Sequence, residues 1–381
     1  MLICARKLFY YENNKAVRAI RRRFIWSSLY STGAYSARST QKHRVLFLGT
    51  DLYSLYALRP LLAHLTNSDV ARISHLGVCS KFAEPGCEVA KQLKLRGTLD
   101  NISLVNYSPQ RAPVDWDVGV IASFGSLIPP SFIKSFPYGI ICIHPSLLPR
   151  WRGAAPLMRT ILAGDTVSGT TLFHISPEKF DTGPIISQEK RNVPPQVTSH
   201  QLGRMLMELG VEMFLDTLKN LPEAVENAVA QPTEGVTYAK KIRQAETFVD
   251  WNWPADYIDR FFRALGEDFG VRTMWDDQIV KINGIVEPAI VHKARIDELV
   301  SDGSFPGSLF FHKKRDILFV KCRDGWVGIT ALYMPNRKPM NAKDFYNGFL
   351  SPNKNKRLYF EANANCLAKS LKIRAGYKSS N

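Results

Sequence analysis

The chain has 381 residues, 45% hydrophobic and 22% charged, a balance that excludes wholesale disorder and collagen-like structure. No apolar run approaches the ~18–20 residues of a spanning helix, so an integral membrane protein is excluded, and the length predicts two or three domains of ~150 residues. The formal charge of +16 sits at the ends: residues 1–44 carry ten Lys/Arg against one acid, residues 353–381 carry seven against one, and the body is nearly neutral.

Residues 1–43 hold Arg6, Arg18, Arg21, Arg22, Arg23 and Arg38 among scattered serines, with Glu12 as the one acid. An Arg- and Ser-rich, acid-poor leader suits a mitochondrial transit peptide and lacks the continuous apolar core of a secretory signal. Six widely spaced cysteines form no Cys-x-x-Cys pair, which argues against a disulfide framework and fits a reducing compartment. No cluster has metal-ligand spacing, so no metal is expected.

From residue 45 the pattern alternates strand and helix. Val45–Gly49 is a short apolar run, and Leu55, Leu58, Leu61, Leu62 and Leu65 then recur at helical spacing. Strands are expected at 73–78 and 102–105, with a helical stretch between them after Gly86. The runs 117–123 and 140–144 have the doubly buried character of a parallel sheet. A helix follows Pro156, a strand spans 170–175, and Thr198 with Gln201 spells a capping box for a helix at 199–220. This order predicts an open, mostly parallel α/β sheet with its ligands at the carboxyl ends of the strands. Gly49-Thr50-Asp51 replaces the glycine-rich fingerprint of a dinucleotide site, which is therefore disfavoured.

Residues 221–245 lose periodicity and predict a linker. One more helix is signalled by Asn252, Trp253 and Pro254 and the stripe Ile258, Phe261, Phe262 and Leu265. From 270 to 335 short β segments alternate with turn residues, including the hairpin-type pairs Asn283-Gly284 and Asp324-Gly325. A small antiparallel barrel or sandwich over 246–350 is the expectation. The basic tail 351–381 is expected to be disordered.

The chemical centre is the stretch Cys142-Ile-His144-Pro-Ser146-Leu-Leu-Pro149-Arg-Trp-Arg-Gly153-Ala-Ala-Pro156. It places an imidazole at the carboxyl end of a central strand, where open sheets hold ligands. The Lys179-Phe-Asp181-Thr-Gly183 loop follows the next strand, and an Asp in reach of a His can orient the ring or take a proton. A lone His is more often structural, and sequence spacing does not establish that the two residues meet.

His144-x-Ser146-Leu-Leu-Pro with Gly153 and a downstream Asp-Thr-Gly resembles the signature of the 10-formyltetrahydrofolate-dependent formyltransferases. The longer string to Pro156, with Thr237-Tyr-Ala-Lys-Lys-Ile242, resembles the branch acting on initiator methionyl-tRNA, and the likeness covers about residues 44–350. It implies a Rossmann-like formyltransferase domain over 44–220 and a C-terminal OB-like β-barrel over 246–350. It also implies folate as formyl donor, methionyl-tRNA as acceptor, no membrane and a monomer; with the basic leader, it implies the mitochondrial matrix. His144 would be donor and proton carrier at the tetrahedral oxyanion, with Asp181 orienting it. Ser146, Leu147, Leu148 and Pro149 would line the folate pocket, beside a loop of Phe124, Gly125, Ser126, Leu127 and Ile128. Simple turn geometry is the plainer reading of both segments.

Two departures stand out. The family's usual Asn-x-His becomes Cys142-x-His144, and a thiol is a weak donor without the amide's contacts. This leaves three readings open: slower transfer, hydrolysis of formyl-folate, and a Cys–His nucleophilic pair; a small-amine formyltransferase and a non-catalytic RNA- or folate-binding protein are further alternatives. The basic loop that wedges the acceptor end in bacterial relatives is reduced here to Ser80–Gly86, with a single lysine. RNA contact is then expected from Arg150 and Arg152, from Lys240, Lys241 and Arg243, and from Lys313, Lys314 and Arg315. Each could equally be a solvated turn, and the first pair could tie down its own loop.

Overall fold

The computed structural model describes residues 42–65, 73–80, 89, 102–111, 113–177, 179–300, 303–351 and 358–361. Residues 1–41 of the leader, residues 81–86 of the shortened loop and, apart from Val89, the helical stretch expected after Gly86 lie outside the described residues.

The first sheet is built from β1 (His43–Leu48), β2 (Ile73–Ser80), β3 (Ile102–Asn106), β4 (Val118–Ile121), β5 (Ile140–His144), β6 (Val167–His174) and β7 (Ile185–Asn192). Their order is β3-β2-β1-β4-β5-β6-β7, parallel through β5 and antiparallel beyond it. The order reverses at β1, which pairs with β2 on one side and β4 on the other, the switch point where such sheets bind ligands. Val45 and Phe47 of β1 pack into one apolar cluster and Leu46 and Leu48 into another, so the strand is covered on both faces. On the first face lies α1 (Leu52–Leu65), with Leu55, Leu58, Leu61 and Leu62 buried, each contributing ~2 kcal/mol over exposure. The short helix α2 (Pro130–Lys134) and α3 (Pro156–Ala163) flank β5 in sequence.

Helix α4 (Ser199–Thr217) starts at the expected capping box, Gln201 N–H donating to Thr198 Oγ1 and Gln201 Oε1 accepting from Thr198 N–H. The aperiodic stretch that follows is not wholly irregular. Leu221–Glu226 forms a helix, α5, with Pro222 in its first turn, where a missing N–H costs nothing. Helix α6 (Ala255–Leu265) buries the predicted stripe.

The second sheet contains β8 (Val271–Trp275), β9 (Gln278–Ile285), β10 (Leu309–His312), β11 (Ile317–Lys321), β12 (Trp326–Tyr333) and β13 (Met340–Asn341), with helices α7 (Pro288–Ala294) and α8 (Ala342–Phe345). It is antiparallel, in the order β10-β11-β12-β9-β8 with β13 on β12. Asp324-Gly325 closes the β11–β12 hairpin, Cys322 N–H donating to Gly325 O at 2.8 Å. Asn283-Gly284 makes no hairpin; it lies inside β9, where the register with β12 slips near Ala331. The β8–β9 turn is Asp276-Asp277, both at positive φ (49° and 60°), a conformation Asp tolerates.

The tail is not free throughout. Leu309 N–H donates to Leu358 O, Phe360 N–H to Gly307 O and Glu361 N–H to Met274 O, at 2.8–3.0 Å. Residues 358–361 therefore stitch the β10 edge to the β8 edge.

A polar knot joins the two sheets' helical layers. Tyr53 Oη donates to Asp268 Oδ2 at 2.6 Å, His200 Nε2 lies 2.7 Å from Asp268 Oδ1, and Tyr56 Oη lies 3.2 Å from His200 Nδ1. Burial alone would lower the His200 pKa, but the hydrogen bond and charge of Asp268, with Glu267 and Asp51, raise it above 6.5. A raised folded-state pKa stabilises fully below the unfolded value and ceases to do so as pH rises through the folded one. The stability gap between wild type and His200→Gln should therefore be widest below about pH 6.5 and close at higher pH. Thermal unfolding of both chains across the range about pH 5.5–8.5 checks this, and a gap that grows with pH contradicts it.

Candidate active site

Strand β5 delivers Cys142 and His144 to one sheet face, since residues two apart on a strand point the same way. Ile141 and Ile143 enter the opposite core. Register pairs Ile121 with Cys142, so the chain leaving β4 at 122–125 runs alongside His144. His144 is buried, and its Nε2 lies 3.0 Å from the Trp151 carbonyl oxygen. A carbonyl only accepts, so Nε2 carries the hydrogen and Nδ1 is the acceptor of the neutral ring.

Asp181 was expected to orient His144, and the hydrogen bonds differ. Among the described residues Asp181 makes no hydrogen bond to His144; its Oδ2 accepts from Gly153 N–H at 2.7 Å. The orienting partner of His144 is the backbone of the loop that Asp181 braces. Asp181 also acts on Cys142: burial and the Asp181 charge together push the thiol well above its ordinary range. That shift opposes the thiolate that a Cys–His nucleophilic pair would need. Asp181 itself sits at φ 54°, a left-handed position Asp tolerates at a tight turn.

Loop 145–155 is held from every side. Ser146 is fully buried; its Oγ donates to Arg150 O at 2.7 Å, and its carbonyl accepts from Thr171 Oγ1 at 2.6 Å. Leu148 is buried too, its N–H donating to Thr171 Oγ1 at 3.1 Å and its carbonyl accepting from Gln188 Nε2 at 2.8 Å. Ser146 and Leu148 thus support the loop, while Leu147 and Pro149 are the half-exposed members of the expected folate segment. Arg150 makes two hydrogen bonds to Asp165 (2.9 and 2.7 Å) and lies over the Trp151 ring, whose Nε1 also donates to Asp165. Arg152 grips Gln231 Oε1 at 3.0 and 2.6 Å, and Gln231 Nε2 donates to the Asp181 and Gly183 carbonyls. Both arginines tie loop 145–155 to partners outside it, Asp165 and Gln231.

The linker completes the site. Arg152 and Tyr238 form a parallel bridge, with Arg152 N–H donating to Thr237 O at 2.9 Å and Ala239 N–H to Arg152 O at 2.7 Å. Ala155 N–H donates to Ala239 O and Trp151 N–H to Thr237 Oγ1. The Thr237-Tyr-Ala239 part of the motif is thus a strand laced onto the loop. Gly153 is required there: at φ +123°, an added Cβ would stand 2.7 Å from the Ala239 carbonyl oxygen.

In the loop after β4, Phe124 and Ile128 are core anchors, whereas Gly125 and Leu127 are exposed and Ser126 is intermediate. Nothing lies within 4 Å of where a Gly125 Cβ would be, so the loop is open to solvent at this point. The loop is tied to the switch point: Ser123 Oγ donates to Asp51, Ser54 Oγ to Asp51 and the Ser123 carbonyl, and Thr50 Oγ1 to the Ser123 and Phe124 carbonyls. Burial raises the Asp51 pKa, opposed by its hydrogen bonds to Ser123 and Ser54.

Lys240, Lys241 and Arg243 are exposed just beyond the laced strand, and Lys313, Lys314 and Arg315 are exposed on the β10–β11 turn. Nothing recorded brings the second trio to His144. Sequence reading missed Asp165, Thr171, Gln188 and Gln231; isolated polar residues in strands and loops carry no periodic signal. A cavity of about 890 Å³, lined in part by Asp165, Gln196, Arg260, Arg263 and Trp326, contains none of Cys142, His144 and Asp181 and marks a seam between the two sheets' domains.

Residues 90–218 match the formyl transferase family and residues 241–350 match the formyl transferase C-terminal domain, and the chain belongs to this family. Among its relatives is a protein named methionyl-tRNA formyltransferase, mitochondrial, from Bos taurus, 40% identical over 313 residues, covering 81% of this chain and 78% of the relative. The Homo sapiens protein of that name is 38% identical, with 86% and 84% covered. A methionyl-tRNA formyltransferase of Cereibacter sphaeroides is 31% identical, with 81% and 97% covered. Among solved structures, HypX from Aquifex aeolicus in complex with tetrahydrofolic acid aligns with a TM-score of 0.56 at 18% identity. The match covers 82% of this chain and about half (48%) of HypX. An N-formyltransferase from Helicobacter canadensis aligns at 0.52 and 15% identity, with 76% and 100% covered. These two share the fold.

Proposed function

We propose that this chain transfers the formyl group of 10-formyltetrahydrofolate to the α-amine of initiator methionyl-tRNA in mitochondria. The compartment is the matrix, the protein is a monomer, and residues 1–43 serve as its import segment. Among the described residues no helix is long and apolar enough to cross a membrane. One observation carries the reading: the loop holding His144 and Asp181 is hydrogen-bonded to the linker strand Thr237–Ala239, so the reaction centre includes the junction with the second domain. The relatives named methionyl-tRNA formyltransferase align across both domains.

In the reaction the methionyl amine nitrogen bonds to the formyl carbon, the bond from that carbon to folate N10 breaks, and the amine's proton passes to N10. The intermediate's oxyanion needs donors aimed at it. His144, fixed by the Trp151 carbonyl, stands at the strand end as the group that moves the proton. Asp181 Oδ1, without a hydrogen bond among the described residues, is the acceptor for the attacking amine, while Oδ2 holds Gly153. The pterin end of the folate lies against Phe124–Ile128 and Leu147–Pro149.

Cys142 fills the position of the usual asparagine with a neutral, weakly donating thiol. Restoring the amide by Cys142→Asn, nearly the same volume, should raise turnover by about tenfold or more, since one oxyanion donor is worth ~10²–10³. An unchanged turnover in the variant would show that Cys142 does not stand at the oxyanion. The function itself is tested by supplying charged initiator Met-tRNA and 10-formyltetrahydrofolate and following formyl-methionine and formate separately. Formyl-methionine is the expected product; formate alone would mean a hydrolase, and neither product a binding protein.

A further inference from the structure

Two large aromatic side chains stand in solvent beside the catalytic loop. Phe180 is 71% exposed immediately before Asp181, and Tyr238 is 65% exposed at the centre of the linker strand. Their placement is coupled. Bridged strand residues project to the same side, so Tyr238 shares a side with Arg152. The Arg152 guanidinium holds Gln231, and Gln231 holds the carbonyls of Asp181 and Gly183, the loop that begins at Phe180. Lys179 precedes Phe180, and Lys240 and Lys241 follow Tyr238 by two and three residues; all three are exposed, and among the described residues neither Lys240 nor Lys241 is in an ion pair.

We propose that Phe180 and Tyr238 are stacking platforms for the unpaired bases at the 3′ end of the acceptor RNA, with Lys240 and Lys241 on its phosphates. This rests on the formylation of an aminoacylated tRNA and names the residues that receive it. The chemistry favours this occupant. Solvated rings beside exposed lysines suit single-stranded nucleic acid, whose bases offer a π-face and whose backbone is anionic. The amine to be formylated is esterified to that same 3′ end, so the bases nearest it must pass the mouth formed by Asp181 and Gly153. The expected loop after β2 is short, and a pair of rings at the mouth supplies a grip that does not depend on it.

The test uses the full chain, charged initiator Met-tRNA and 10-formyltetrahydrofolate. Phe180→Ala and Tyr238→Ala should each raise KM for the tRNA about tenfold, the range measured for losing one base–aromatic stack, with kcat within about twofold. Tyr238→Phe and Phe180→Tyr, which keep the rings, should match wild type. Lys240→Ala with Lys241→Ala should flatten the salt dependence of KM, whereas the ring variants should leave that slope intact. Phe180→Leu keeps the bulk without the ring and carries the test if the alanine variant does not fold. Tetrahydrofolate affinity, followed by tryptophan fluorescence, should be unchanged in all of them. Ring-less variants with wild-type KM, a fall in kcat at constant KM, or a loss of folate binding instead would overturn the assignment. A wild-type chain that formylates no Met-tRNA would overturn the functional reading beneath it, so the two failures are told apart.

Discussion

Replacing His144 by glutamine should lower formyl transfer at least about a hundredfold while tetrahydrofolate binding stays within about twofold. The ring is buried at the end of β5 and has one recorded polar tie, Nε2 to the Trp151 carbonyl. Glutamine places an amide N–H where Nε2 stood and can satisfy that carbonyl, so the loop should remain in place, and what is lost is the group that changes protonation during the reaction. The folate contacts lie on the β4 exit and on Leu147–Pro149 and do not pass through the imidazole. Single-turnover formylation with saturating donor, alongside a folate titration, separates the two effects. An equal loss of binding and turnover would make His144 a part of the pocket wall rather than of the chemistry. Asp181→Asn is the informative companion: its amide oxygen can still accept from Gly153, so any loss of rate reports the carboxylate's charge and basicity.

Gly153→Ala should cost both stability and activity. At φ +123° an L-residue is strained, and its Cβ would stand 2.7 Å from the Ala239 carbonyl oxygen, which is backbone and already accepts from Ala155. The strand cannot step aside without breaking the Arg152–Thr237 and Ala239–Arg152 hydrogen bonds. A destabilisation of ~3 kcal/mol follows, a fall in melting temperature of roughly 6–12 °C for domains of this size. Activity should fall further than stability, because Gly153 N–H anchors Asp181. Ala239→Gly in the same chain should give no rescue, since the clash is with the carbonyl and not the side chain. Gly125→Ala is the contrast: it also has positive φ, but nothing lies within 4 Å of its Cβ, so only backbone strain of ~1 kcal/mol is expected. Differential scanning calorimetry with initial rates on the same preparations decides between a clash and simple loop strain.

The elements legible in the sequence were those whose burial repeats with a period. Strands β1, β2, β4 and β5, helix α1 and the capping box of α4 follow from apolar runs and spacing. Strand β7, Ile-Ile-Ser-Gln-Glu-Lys-Arg-Asn, was not legible: it is an edge strand exposed over its last five residues, and its polarity reads as loop. The Asn283-Gly284 pair misled because the turn it resembles was supplied seven residues earlier by Asp276-Asp277. At the site, His144 and Asp181 were legible as chemistry but not as a geometry. Their link runs through Trp151 and Gly153, backbone groups that a sequence does not display. Arg150 and Arg152 read as basic character and serve as braces, because Asp165 and Gln231 were too isolated in the chain to suggest themselves as partners.

The stitch made by residues 358–361 has a bearing on truncated chains. A chain ending before Leu358 would keep every group named in the reaction, yet leave Gly307, Leu309 and Met274 with unpaired backbone groups along two strand edges. Bare edges recruit other strands, and the nearest abundant source is another copy of the same protein. Loss of the last two dozen residues would then show first as association and precipitation of a catalytically intact enzyme. The terminal segment guards solubility, a duty separate from its charge.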